Sequence, residues 1–156
     1  MSKKSKSQKM SLHLIHYGSD AFSFSKFKPV IDETYQGWIK PKGGLWTSPV
    51  DSKFGWKQWC KAEDFPIDLD HSFELQLDGN VIVIDKESDL DKLCWRDISQ
   101  WSKYSFFWEP LVNEGVDAVY LTEEGQWKTR FSSPKSLYGW DCESVLVMNP
   151  KCIMPI

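Results

Sequence analysis

The stretch SFELQLDGNVIVIDKES, residues 72–88, constrains the fold more than any other part of the chain. Two β-prone runs flank Asp78-Gly79-Asn80, a strong turn signal, so the segment predicts a β-hairpin. Four further short apolar runs read as strands. SLHLIHYGS alternates Leu12 and Leu14 with other residues and stops at Gly18. GGLWTS and the run Val116 to Leu121 follow. The last begins at about Trp140, reaches Met148 and is stopped by Asn149-Pro150. Helical signals are fewer. PVDSKFGWKQWCKAED predicts a helix with Pro49 near its start and Asp51 or Ser52 as the cap. SDLDKLCWRDISQWSKYSFFW has apolar residues at 90, 93, 94, 98 and 101, which predicts a second helix capped by Ser88 or Asp89. EPLVNEG predicts a helical turn ending at Gly115, and residues 20–43 a short helix or irregular segment and a loop. Strands outnumber helices and the hairpin implies antiparallel pairing, so the class is α+β, in one domain over residues 11–156.

Residues 1–10, MSKKSKSQKM, carry Lys3, Lys4, Lys6 and Lys9 and no acid, which predicts a basic disordered tail. The remaining residues then carry about −7, from 15 basic against 22 acidic side chains, so the body is no basic sheath for duplex DNA. Aromatic residues make up 15% of the chain, enough to fill a tight core and also to stack on a base or a nicotinamide ring. Cys60, Cys94, Cys142 and Cys152 form no CxxC pair, and His13, His16 and His71 add no zinc-ligand spacing. A polar, basic start and the absence of a long apolar run predict a cytoplasmic protein that does not enter a membrane.

Phosphate-loop, dinucleotide-fold and nucleophile-elbow motifs are absent. Three strand-edge segments remain: His16-Tyr17-Gly18-Ser19, Gly43-Gly44-Leu45-Trp46-Thr47-Ser48 and Asp141-Cys142-Glu143. In that order they resemble the ADP-ribosyltransferase superfamily, which includes the poly(ADP-ribose) polymerase catalytic domains and the small bacterial and phage mono-ADP-ribosyltransferase toxins. Its pattern is a His then Gly on a first strand, an aromatic or Ser-Thr-Ser on a second strand leading into a helix, and a Glu opening a late strand. The resemblance spans roughly residues 11 to 150. Each motif alone is weak, and the specificity lies in their order.

The resemblance implies a split antiparallel sheet with an NAD-binding cleft, and NAD as a substrate. Glu143 would stabilise the oxocarbenium-like state formed when the ribose–nicotinamide bond breaks. Asp141 would orient the acceptor or act as general base. His16 would hold the adenosine-side ribose, Gly18 would receive the nicotinamide amide through its backbone, and Trp46 would stack on the nicotinamide, with Tyr17, Thr47 and Ser48 in the same site. Two departures stand out. Tyr17 separates His16 from Gly18, so either His16 or Tyr17 grips the ribose, and Trp46 stands where many relatives have Tyr.

The implied partners are NAD and a macromolecular acceptor, RNA or DNA slightly ahead of protein, together with a cognate inhibitor or chaperone. The implied setting is a bacterial or phage toxin, effector or defence protein. Two competing readings remain: an NAD glycohydrolase, in which water replaces the acceptor, and a non-catalytic binding module with a degenerate cleft. Taken singly, His16 and Trp46 also suit a core, and Glu143 a strand edge. The apolar end KCIMPI is expected to dock on its own domain.

Overall fold

A computed structural model of the chain describes residues 6–32, 41–97, 104–133, 135–137 and 139–156. The strands are β1 (Gln8–Tyr17), β2 (Leu45–Pro49), β3 (Ser72–Ile84), β4 (Cys94–Asp97), β5 (Tyr104–Phe107), β6 (Ala118–Leu121), β7 (Ser144–Val147) and β8 (Ile153–Pro155). The α-helices are α1 (Trp56–Ala62), α2 (Glu109–Asn113) and α3 (Glu123–Thr129). The class is α+β, as expected.

The predicted hairpin is absent, because β3 runs straight through Asp78-Gly79-Asn80. Both its edges are occupied. β1 lies antiparallel along one edge, with Met10 opposite Gly79 and Ser11 opposite Asp78, and the Ser11 hydroxyl donates to the Asp78 carboxylate. Along the other edge β8 pairs with Leu75 to Leu77 and β6 with Val81 to Ile84. Asp-Gly-Asn therefore marks a change of partner on one edge, not a reversal of the chain.

Asp117 fills that gap. Its Oδ2 accepts from the Asn80 backbone N–H at 2.8 Å and its Oδ1 accepts from Asn149 Nδ2 at 2.8 Å. A Cβ on Gly79 would lie 2.6 Å from Asp117 Oδ2, so a larger residue here would push the Asp117 carboxylate out of place. Asp117→Ala strands both donors and is expected to cost about 1–3 kcal/mol. A lowered urea midpoint checks this; an unchanged midpoint would contradict the role given to Asp117.

The pairings close on themselves. β1 pairs with β2 and β3, β2 with β7, β7 with β6, and β6 with β3, giving a five-strand ring to which β8 is added. All pairs in the sheet are antiparallel except β3–β6. A parallel pair needs a long crossover, and residues 85–117 supply it.

Alternation along the strands feeds two cores. Leu14, Leu75, Leu77, Val81, Ala118, Val145 and Val147 come from four strands of the ring and pack together within it. The alternate positions Ile82, Ile84, Val119, Leu121, Leu146 and Met148 meet Leu90, Leu93, Trp108, Leu111, Leu137 and Trp140 from the segments that cover the outer face.

Three further expectations need correction. The helix predicted over residues 88–108 is a 3-10 turn, Glu87–Lys92, followed by the β4–β5 pair; residues 98–103 lie outside the described residues. Asp89 does act at its start, with Oδ2 accepting from the Asp85 N–H at 2.9 Å and the Lys86 N–H at 3.1 Å. The basic tail ends sooner than expected: β1 begins at Gln8, and Lys9 is paired with Asn80, while Lys3 and Lys4 lie outside the described residues. The last long strand is shorter than predicted, because β7 begins only at Ser144. The apolar end does dock on its own domain, as β8 against β3.

Candidate functional site

Tyr17 ends β1, and the chain turns at Gly18, whose φ is +108° and whose N–H donates to His71 O at 2.8 Å. Before β2, Gly43 and Gly44 adopt φ of +79° and +73°. A Cβ on Gly43 would meet Pro29 O at 2.1 Å, and one on Gly44 would meet a Leu146 methyl at 2.6 Å. Glycine is the residue that suits both the backbone angle and the crowding. The turn delivers Trp46 beside His16, whose Nδ1 lies 2.7 Å from Trp46 O.

A carbonyl only accepts, so Nδ1 carries the proton and Nε2 of the neutral ring is an acceptor. Burial is the main cause that holds the His16 pKa below its ordinary value of 6.5, and the bond to Trp46 O partly offsets it. Such a group binds fewer protons folded than unfolded. Its contribution to stability is therefore whole above about pH 6.5 and declines as the pH falls through the lowered folded value. His16→Gln is expected to flatten that decline. Urea midpoints at about pH 7.5 and about pH 5 check the sign; parallel declines in the two proteins would contradict it.

His16 and Trp46 form a wall shared by two cavities. The larger, about 450 Å³, is bounded on the other sides by Lys26, Lys28, Gly43 and Gly44, with Phe22 and Phe73 behind His16. The smaller, about 340 Å³, adds Tyr17, Trp56, Trp59, Phe65 and Asp141. Its rings meet at steep angles, 78° for Trp46 with Trp56 and 83° for Trp56 with Trp59, so they wall a box instead of forming a stack. One cavity is thus edged by lysines, the other by aromatic faces and a carboxylate.

Helix α1, which brings Trp56 and Trp59, starts later than predicted. Its N-cap is Gly55, and Pro49 belongs to β2. The cap is completed from the strand: Ser48 Oγ accepts from the Trp56 N–H at 2.9 Å and donates to Glu143 O at 2.9 Å. Thr47 Oγ1 donates to Val145 O at 2.8 Å. Both side chains are buried and neither borders the two cavities; they stitch β2 to β7 and α1.

Asp141 and Glu143 do not share a strand face, since both precede β7. Asp141 borders the aromatic cavity, whereas Glu143 borders a third cavity of about 440 Å³ with Thr122, Glu123, Glu124 and Trp127. Glu143 is 8% exposed, and both its oxygens are held, Oε1 by Ser52 Oγ and Oε2 by Tyr120 OH, each at 2.5 Å. Its N–H donates to Phe54 O at 3.1 Å, which keeps this segment on the α1 approach instead of in β7.

Of the residues singled out in the sequence, His16 and Trp46 border both cavities, and Tyr17 and Asp141 the aromatic one. Lys26, Lys28, Trp56, Trp59 and Tyr120 were not among the site residues, and Ser52 entered only as a helix cap. A Trp-x-x-Trp pair on a helix after a Gly-Gly strand is the local signal from which the aromatic box could have been found. Nothing local marks Ser52 or Tyr120, whose partner lies far along the chain.

Among the described residues no group of three His, Cys, Asp or Glu is placed to hold a metal ion, and no helix is long and apolar enough to cross a membrane. Comparisons with family models, with curated proteins and with solved structures each return no match.

Proposed function

We propose that the protein is an ADP-ribosyltransferase that cleaves NAD and transfers ADP-ribose to a macromolecular acceptor. The observation that carries the reading is the His16–Trp46 wall, with lysines bordering the cavity on one side and an aromatic, carboxylate-edged box on the other. NAD carries matching groups, an anionic diphosphate in its middle and a cationic pyridinium ring at one end. Lys26 and Lys28 attract the diphosphate, and His16 Nε2 accepts from a ribose hydroxyl. Trp46, Trp56 and Trp59 offer ring faces to the pyridinium, an attraction of about 2 kcal/mol when desolvated. Asp141 adds opposite charge on the same side.

In the reaction the bond between nicotinamide nitrogen and ribose carbon breaks. Its electron pair leaves with the nicotinamide, which becomes neutral, and positive charge appears at the anomeric carbon. Glu143 opens onto a separate cavity, so this reading requires the ribose to pass Asp141 and reach it there, where the carboxylate accepts from the 2′-hydroxyl and offsets that charge. The acceptor nucleophile then bonds to the carbon and gives up its proton, for which Asp141, at the edge of the aromatic cavity, is the candidate base. Thr47 and Ser48 keep Glu143 and Trp46 in fixed relation and do not touch NAD. Tyr17 borders the nicotinamide end, so the ribose grip falls to His16.

Binding tests the placement. NAD is expected to quench tryptophan fluorescence, Lys26→Gln/Lys28→Gln to weaken its affinity about tenfold at low salt, and free nicotinamide to compete only at the aromatic end. NAD that binds equally well to wild type and to a Trp46→Ala variant would overturn it.

A further inference from the structure

Glu143 is clamped by two hydroxyls from elements separate in sequence. Ser52, between β2 and α1, donates to Oε1, and Tyr120, in β6, donates to Oε2, both at 2.5 Å. β6 lies beside β7, with Tyr120 opposite Val145, so its hydroxyl reaches the residue that precedes β7. The Tyr120 ring packs against the core within the ring. A phenylalanine would fill that space equally well. The hydroxyl is the one part of Tyr120 that the core does not need, and its partner is the carboxylate.

From this geometry we infer that Tyr120 is a positioning residue: its hydroxyl fixes the Glu143 carboxylate in the orientation that the NAD ribose meets. The inference rests on the NAD reading for its consequence, though not for the contact itself. A carboxylate has about four lone-pair sites. Two donors on separate oxygens occupy half of them, leaving one on each oxygen for a ribose hydroxyl. Held at both ends, the group no longer rotates about its last bond, so it is in place before the charge develops.

The clamp also keeps its proton. Burial first, then the hydrogen bond and charge of Glu143 and the charges of Asp51 and Asp85, all push the Tyr120 phenol well above its ordinary range. At neutral pH the hydroxyl keeps its proton and donates.

The test is Tyr120→Phe, read in two ways. In steady-state NAD consumption, kcat is expected to fall about 10- to 100-fold, as for other partners that orient a reacting group, with KM for NAD unchanged and the thermal midpoint close to wild type. An unchanged kcat, or a loss that merely follows the folded fraction, overturns the role. Independently of activity, NMR of tyrosine ring carbons reads the contact. The resonance that disappears in Tyr120→Phe is expected to move in Glu143→Gln at neutral pH, because the acceptor of its hydroxyl has changed. An unmoved resonance overturns the contact. A wild-type protein that consumes no NAD sinks the transferase reading and the catalytic role of Tyr120 together, while the NMR arm still decides the hydrogen bond by itself.

Discussion

Glu143→Gln is expected to lower NAD turnover by on the order of 10²–10³-fold while leaving NAD binding intact. The substitution keeps the shape of the side chain and removes its charge. Its backbone anchors, Ser48 Oγ on the carbonyl and Phe54 O on the N–H, do not depend on the carboxylate. Ser52 and Tyr120 can each donate or accept, so they rotate to suit an amide. The folded site survives, and only the electrostatic support for the cationic ribose is lost. Nicotinamide release measures the first effect and calorimetric titration with NAD the second. Retained turnover would reassign the negative charge to Asp141, which borders the aromatic cavity directly, and leave Glu143 as a brace between β2 and β6.

Trp140→Ala should give the largest loss of stability, about 3–5 kcal/mol. Trp140 is 0% exposed. It stacks on Trp108 with ring centroids 5.5 Å apart at 25°, and it meets Trp46 edge-on at 4.8 Å. Removing the indole leaves a hole behind the wall that divides the two cavities. Two effects should therefore appear together: a lower urea midpoint and weaker NAD binding by the protein that remains folded. Trp140→Phe keeps a ring in place and should recover most of both. A variant that loses stability but binds NAD as wild type does would show that Trp46 holds its position without this backing.

What was legible in the sequence follows from the range of the forces involved. β1 ending at Gly18, the Gly43-Gly44 approach to β2, the helical turn to Gly115 and the β6 run are local, because glycine conformation and alternation are written in neighbouring residues. The reading of Asp78-Gly79-Asn80 as a hairpin failed for a non-local reason: Asp117 takes the Asn80 N–H that a turn would otherwise satisfy, and β1 runs past on the other edge. The apolar spacing over residues 88–108 suggested a helix, yet its first part is a 3-10 turn and the rest of its described residues are paired strands, because tertiary pairing outweighs periodicity in a short run. α3 was not anticipated, although Thr122 caps it by accepting from the Gly125 N–H at 2.9 Å.

The site divides in the same way. His16, Tyr17, Trp46 and Asp141 gather around one pair of cavities. Glu143 does not join them there, because the residues before β7 are tied to the α1 approach and lack the alternation of a strand. The hydroxyls that hold its carboxylate come from 91 and 23 residues away, a distance no motif spans.

The measurement that tests the account most directly is nicotinamide release from NAD by purified protein, alone and with RNA, DNA or cell-lysate protein, using adenylate-labelled NAD to follow the ADP-ribose. The account predicts release that depends on one acceptor class, with label bound covalently to that class, nucleic acid being the first to try. Release without any acceptor would assign hydrolysis instead of transfer. No release under any condition would contradict the claim that this chain cleaves NAD and leave a ligand-binding module built on the same two cavities.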